Sequence, residues 1–311
     1  MANQNRPVEL SFLEIADSAY SRAQQRLFFL DDDTLCSVPL ETLINVKSAE
    51  PHVINQGLDT LVDECSLFSI SSTALTGAYV DYDESLHVVD LTDFSTAHFI
   101  EIENDDDAIS ALSVSPGGDI VAYLAEIDRE DEPFLLYQWQ LISADSGELS
   151  PISIFGEADI GMPDLIGWWS SDIACFSAPG SLVFWHVPTN RTKTLDIPEP
   201  YRVIDSVFCG DSPFACLTLE AEDRLVTCLV EVTNNKFTLT KLVESHRCLD
   251  WEPQSEQLLV CSSSGNFRSI ELKSQETNLL CHVETEFDRA VFVDNGLILL
   301  LAERSLGIIR H

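Results

Sequence analysis

The chain has 311 residues and carries 17 Lys and Arg against 52 Asp and Glu, a formal net charge of −35. Hydrophobic residues make up 45% of it, which excludes a chain disordered throughout, because acidic disordered chains lack the apolar residues for a core. So few cations among so many carboxylates exclude a phosphate-binding surface for nucleic acid, and they disfavour insertion into an anionic membrane surface. A protein partner with a basic surface is the one such a field would steer in.

No stretch shows sustained helical periodicity. Val8–Ile15 (VELSFLEI) reads as a strand, and the stretch from Asp17 to Gln25 has room for a short helix. Further along, Leu86–Leu91, Ala97–Ile102, Ile120–Leu124, Leu182–Val187, Leu225–Val230, Leu258–Cys261 and Leu297–Leu301 are short runs rich in branched apolar residues, the pattern of strands. Turn residues separate them: Pro116-Gly117-Gly118-Asp119, Pro179-Gly180, Thr233-Asn234-Asn235, Ser264-Gly265-Asn266 and Asp294-Asn295-Gly296. Many short antiparallel strands with regular punctuation predict an all-β fold.

The period selects the architecture. A unit of apolar strand, turn and very apolar strand recurs in Ser110–Leu124, Asp164–Phe176, Arg247–Cys261 and Asp288–Leu301. Its anchors Val114, Trp169, Phe208, Trp251 and Phe292 are spaced 55, 39, 43 and 41. Intervals of roughly 40–45 residues are those of a four-stranded propeller blade. The long first interval holds an acidic insertion, Asp128–Pro133, and a Gly/Pro loop, Gly156–Pro163. The expectation is a single β-propeller domain over 1–311, with seven blades at about 18–55, 58–103, 107–155, 163–197, 203–243, 247–283 and 286–311; six or eight blades are the alternatives. The last span has room for three strands, and the N-terminal strand at 8–15 would supply the fourth. Pairing the N- and C-terminal strands in this way removes free sheet edges.

The repeats SALSVSPGGDIVAYL and RCLDWEPQSEQLLVCSSSGNFRSIEL resemble WD40 units. Ser115-Pro116-Gly117-Gly118 and Glu252-Pro253-Gln254 stand at the first turn, Ser263-Ser264-Gly265 at the second, and Val89-Asp90 and Ile270-Glu271 where the family has Trp-Asp. The family's Gly-His pair is absent from every unit, so its hydrogen-bond network cannot form, and the chain would be a divergent member. The order LSVSPGGDIVAYL, an acidic loop, then DLIGWWSSDIACFSAPGSLVFWHV is similar to the N-terminal propeller of the neuroblastoma-amplified-sequence and Rough deal family. That resemblance implies the N-terminal part of a longer chain, and assembly with a Zeste-white-10-type subunit in an endoplasmic-reticulum vesicle tether or at kinetochores. It also implies a cytoplasmic location, peripheral to the endoplasmic reticulum, or a nuclear or kinetochore one.

The nine Cys are odd in number, with no C-x-x-C spacing, and several stand in strand runs; this reads as free core thiols in a reducing compartment. The N-terminus MANQNRPVEL lacks the apolar stretch of a secretory leader, and no apolar run approaches the 18 residues of a membrane helix.

A search for chemistry finds no G-x-S-x-G, H-E-x-x-H, G-x-G-x-x-G or P-loop pattern. The seven His stand apart in separate blades, and none of the acidic runs has the alternation and Gly of a calcium loop. The sequence therefore predicts no enzyme, no cofactor and no metal. The expected role is a non-catalytic interaction scaffold in a multiprotein complex. The alternatives are a substrate-recruiting adaptor of a ubiquitin ligase or signalling enzyme, and a propeller hydrolase using paired carboxylates in a central funnel. The interface candidates are three acidic strips, Asp31, Asp32 and Asp33, then Asp105, Asp106 and Asp107, then Asp128, Glu130, Asp131 and Glu132. Trp168 and Trp169 join them, since adjacent residues of a strand point to opposite faces, which places one indole in the core and leaves the other for a neighbouring blade or a partner.

Overall fold

The computed structural model describes residues 8–11, 15–45, 58–101, 108–127, 136–157, 164–208, 214–222, 224–233, 236–252, 255–284, 287, 289–293, 296–302 and 305–310. In chain order these form β1 (Val8–Ser11), β2 (Ile15–Ser21), β3 (Arg26–Asp31), β4 (Thr34–Pro39), the short helix α1 (Leu40–Asn45) and β5 (Asp59–Val62). Then follow β6 (Cys65–Ile70), β7 (Thr76–Asp81), β8 (Leu86–Asp90), β9 (Ser95–Ile100), β10 (Ala108–Val114), β11 (Ile120–Ile127), β12 (Leu136–Ser143) and β13 (Leu149–Glu157). The next eight are β14 (Asp164–Ser170), β15 (Ile173–Ala178), β16 (Ser181–His186), β17 (Arg191–Asp196), β18 (Arg202–Phe208), β19 (Phe214–Ala221), β20 (Arg224–Thr233) and β21 (Lys236–Glu244). The last seven are β22 (His246–Glu252), β23 (Gln257–Ser262), β24 (Asn266–Glu271), β25 (Thr277–His282), β26 (Arg289–Val293), β27 (Leu297–Ala302) and β28 (Ser305–Arg310).

They assemble into seven four-stranded antiparallel sheets. Six are meanders of consecutive strands: blade 1 is β2–β5, blade 2 β6–β9, blade 3 β10–β13, blade 4 β14–β17, blade 5 β18–β21 and blade 6 β22–β25. Blade 7 has the order β1-β28-β27-β26, with Val8 opposite Ile308 and Ser11 opposite Ser305. The N-terminal strand thus closes the last blade, as the sequence predicted. Seven blades stand, and the alternatives of six and eight fall.

Two local expectations are corrected. Residues 15–21 form the strand β2 rather than a helix: they pair into the sheet β2-β3-β4-β5, and Ser18 and Tyr20 are buried, with Ser21 buried at the strand's end. The fourth strand of blade 1 is Asp59–Val62, beyond the expected limit of 55, and α1 stands between it and β4. Leu40 and Leu43, one helical turn apart, are the buried face of α1.

Burial follows strand position. Middle strands are apolar on both faces: Leu258, Leu259 and Val260 of β23 and Ile298, Leu299 and Leu300 of β27 are fully buried, so their sequences run apolar without alternation. Fourth strands such as β17 and β21 are mostly exposed and read polar. The chain divides into two compact units, one of Met1–Asp17, Leu40–Gly57 and Leu195–His311, the other of Ser18–Pro39 and Leu58–Thr194. In the second unit, one apolar cluster joins blades 2 and 3 through Val80, Val88, Val121 and Tyr123, and another joins blades 3 and 4 through Trp139, Leu141, Trp168 and Phe176. In the first unit, Cys216, Trp251 and Leu258 join blades 5 and 6, and Leu259, Phe267, Phe292 and Ile298 join blades 6 and 7.

The Ser115–Asp119 turn shows why two glycines stand together. A Cβ on Gly117 would fall 2.5 Å from the Ser171 hydroxyl, and one on Gly118, whose φ is +77°, 2.5 Å from that of Thr76. The turn is pinned to blade 2 by the Ser71 and Thr73 hydroxyls, which donate to the Pro116 carbonyl at 2.5 and 2.6 Å.

Eight described cysteines are free thiols. Burial pushes the Cys36, Cys228, Cys261 and Cys281 thiols up to about 11 and Cys65 to about 12, and drives Cys175 and Cys248 higher still. The folded chain therefore keeps protons that an unfolded thiol releases near its ordinary value of 9.0. The stability these thiols contribute is complete below that pH and is lost as pH climbs toward 11. In reducing buffer, the melting temperature should fall between pH 9 and 10, and Cys175→Ala should flatten that fall; an unchanged slope in the variant would contradict the assignment.

Candidate functional site

The cleft that stands out lies in the first unit, at one end of blade 6. The register places His246 opposite Ser262 and Asn266 opposite His282, so the start of β22, the β23–β24 turn and the end of β25 share that end of the sheet. A cavity of about 400 Å³ opens there, within the size range of small-molecule sites. Leu225, Leu249, Phe267, Val283 and Phe287 supply apolar surface, while Arg247, Glu284 and the hydroxyls of Ser262, Ser263 and Ser264 supply the polar groups.

The Ser262–Asn266 turn is built by its own side chains. The Ser262 hydroxyl accepts the Asn266 backbone N–H (3.2 Å) and shares a hydrogen bond with that of Ser264 (2.9 Å), and the Asn266 amide donates to Ser264 (2.8 Å). Gly265 has φ +79°, its carbonyl accepts the Val283 N–H (2.9 Å), and a Cβ there would sit 2.0 Å from the Val283 carbonyl oxygen. Only glycine fits this wall of the cleft.

Arg247 and Leu249, two apart on β22, line the cleft, whereas Cys248 between them is buried on the other face. The Arg247 guanidinium donates from two nitrogens to the two Asp205 carboxylate oxygens, at 2.8 and 3.0 Å. That fork holds it in one orientation at the cleft. His246 is buried; its Nδ1 donates to the Glu244 carbonyl (2.7 Å), and its backbone carbonyl accepts the Thr227 hydroxyl (2.7 Å). The Cys261 thiol on the cleft, pushed up to about 11 by burial, is protonated at neutral pH and is a poor nucleophile. The cleft is thus equipped to bind hydroxyls and charge, with Glu284 as the carboxylate on its surface.

Both tryptophans picked out from the sequence are buried. Trp168 packs with Trp139, Phe176 and Trp185 and donates its Nε1 to the Ser113 hydroxyl (3.0 Å), while Trp169 meets Phe184 edge to face at 5.3 Å. Asp32 is exposed and Asp31 and Asp33 are half-buried in the β3–β4 turn. Asp105, Asp106, Asp107, Asp128, Glu130, Asp131 and Glu132 lie outside the described residues. Arg247, Glu284 and Phe287 were not singled out by sequence reasoning. The serines and Gly265 were visible only as a turn, because nothing local says that residues 247 and 284 converge on it.

No protein-family model and no curated protein matches the sequence, so the proposed kinship with the neuroblastoma-amplified-sequence and Rough deal family has no support at that level. Solved structures do match in fold. An oligogalacturonate lyase in complex with manganese shares it with a TM-score of 0.68 and 10% identity, over 98% of this chain and 90% of that one. The oligogalacturonate lyase of Vibrio parahaemolyticus does so at 0.66 and 10%, over 98% and 91%. A third is the β-propeller domain of Cps50 (Swd1) from Myceliophteria thermophila, of the WD40 kind, at 0.63 and 11%, over 97% and 99%. At these identities the likeness shows the fold, a seven-bladed β-propeller. It also corrects the expectation that the chain is not an enzyme: two of these neighbours are lyases, so this fold carries catalysis, and the lack of familiar motifs is no ground for a non-catalytic chain. Manganese is named for one lyase. Among the described residues here, no three His, Cys, Asp or Glu side chains converge as metal ligands would, and no step is assigned to a metal.

Gly265→Val should lower the melting temperature by several degrees, since the added carbons meet a backbone carbonyl at a left-handed φ, a cost of about 1–3 kcal/mol. Gly180→Ala, where φ is also positive but nothing lies within 4 Å, should cost less; equal losses in the two melts would show that crowding at Val283 is not the cause.

Proposed function

We propose that the chain is a propeller enzyme acting on a small hydroxyl-rich substrate, of the carbohydrate class, held in the blade 6 cleft. The cleft itself carries this reading. Phe267 and Phe287 offer apolar faces for the C–H side of a sugar ring, and the three serines offer hydrogen bonds to its hydroxyls. Arg247, held in one orientation by its fork to Asp205, places a guanidinium on the cleft wall beside a bound sugar. Glu284 is the candidate proton carrier. The fold of the oligogalacturonate lyases supports the reading, since their named substrate is a sugar. The net charge of −35 favours neutral sugars over polyanionic ones.

The test is incubation with neutral and uronic oligosaccharides, oligogalacturonate included, reading new reducing ends for hydrolysis and unsaturated ends for elimination. At least one should be turned over, and Glu284→Gln should lower that rate by about 10²-fold or more. Absence of both turnover and binding across the whole panel would overturn the reading.

A second reading, a docking platform in a larger assembly, is favoured by the Cps50 (Swd1) neighbour and by the charge. Its narrowest form is the tethering or kinetochore assembly implied by the repeat resemblance. Affinity purification that recovers a Zeste-white-10-type subunit would support that form, and repeated absence would remove it.

A further inference from the structure

We propose that the end of blade 2 bearing Tyr82 and Phe99 is a docking surface for an arginine-bearing segment of a partner protein. It lies in the unit without the cleft and does not depend on the enzymatic reading.

The surface begins with a row of rings. Phe68, Tyr79, His87 and Phe99 stand opposite one another across the four strands, so their side chains share a face. Phe68 is buried, Tyr79 and His87 stack in parallel at 4.4 Å, and His87 meets Phe99 edge to face at 5.0 Å. The row surfaces at Phe99, which is 55% exposed. Asp81 ties it to the adjoining turn: one carboxylate oxygen lies 2.9 Å from His87 Nε2, and the other accepts the backbone N–H groups of Asp83 and Ser85 at 3.0 and 2.9 Å. That turn holds out Tyr82, which is 57% exposed. Its far side is fixed by the Glu84 carboxylate, which accepts the Ile109 N–H at 3.1 Å. Two large aromatic side chains on a preorganised surface are the kind of feature that anchors an interface.

The charge around them names the partner. Tyr82 N donates to the Glu64 carbonyl (3.1 Å) and Cys65 N to the Asp33 carbonyl (2.7 Å), which draws the turns at Asp31–Asp33, Asp63–Glu64 and Asp81–Glu84 together. The Tyr82 phenol is held above its ordinary range, first by desolvation and then by the carboxylates of Asp33, Asp32 and Glu64. The chain has no Lys or Arg between Lys47 and Arg129, against 17 Asp and Glu in that interval, so blade 2 offers these carboxylates no cation of its own. Exposed rings beside carboxylates suit a guanidinium, which stacks by its plane and binds carboxylate by its edge; an ammonium does the second without the first.

The experiment uses the full chain and fluorescein-labelled nona-arginine and nona-lysine, read by anisotropy at physiological ionic strength. Net charge alone attracts both peptides equally. The proposal expects nona-arginine to bind about tenfold tighter, from two exposed cation–π contacts. The double variant Tyr82→Ala, Phe99→Ala, which leaves the charge unchanged, should bring it down to the nona-lysine value at an unaltered melting temperature. If the double variant melts early, the single variants are read instead, each expected to lose about threefold. Equal affinity for the two peptides, or an arginine preference that survives removal of both rings, would overturn the proposal.

Discussion

The arrangement depends on how the first strand of each sheet satisfies the backbone groups that point away from its own ladder. An edge N–H that is buried must find an acceptor. In blades 3 and 7 a side chain from the first strand of the preceding blade provides it, and in blade 6 the Thr218 hydroxyl, on the second strand of blade 5, accepts the Cys248 N–H at 2.8 Å. The Ser69 hydroxyl accepts the Val114 N–H at 3.0 Å across 45 residues, and the Asp250 carboxylate accepts the Phe292 N–H at 2.7 Å across 42. Between blades 3 and 4 the same place is taken by Ser113 and the Trp168 indole. Each bond fixes one blade against the next at a single register. The donor residues Val114 and Phe292 bury their own side chains beside it, so the polar contact and the apolar packing specify the same alignment.

Most first strands also carry a bulge. The pairing of first and second strands shifts register in blades 2 to 6, at Cys65/Leu67, Ile109/Ala111, Leu165/Gly167 with Trp168/Ser170, Val203/Asp205 and Cys248/Asp250. A bulge re-aims side chains and increases local twist. In blade 6 the residues on its two sides serve different tasks: Arg247, just before it, lines the cleft, and Asp250, at its end, holds blade 7. The blade-to-blade constraint and the candidate site therefore share one strand.

Much of the fold was legible from residues. Val114, Trp169, Trp251 and Phe292 were found as a period of large apolar positions; Val114, Trp251 and Phe292 each sit in a cluster that joins two blades, and Trp169 is buried against Phe184 of its own blade. Phe208 lies one position off the register, Val207 being the buried neighbour. The seventh blade was readable as a deficit of one strand, which Val8–Ser11 fills. The first blade was misjudged because α1 interrupts the strand spacing, and β2 because Asp17 to Gln25 is too polar to show its alternation. The cleft was not legible. Arg247 looks like any charged strand residue until Asp205, 42 positions earlier, fixes it. Tyr82 and Phe99 are two aromatics among many until the turn at Asp81 brings them to one end of a sheet.

What the sequence by itself determined is the architecture and the charge: short apolar strands at a repeat of about 40 residues, with much of the acid in the turns between them. Both follow from composition and period, which are properties of neighbouring residues. What only the tertiary structure decided is which side chains meet. The bidentate Arg247–Asp205 pair, the crowding of Gly265 against Val283 and the graded row from Phe68 to Phe99 all arise between residues on different strands. Their separation is set by register and by the packing of one sheet on the next, and no local propensity encodes either.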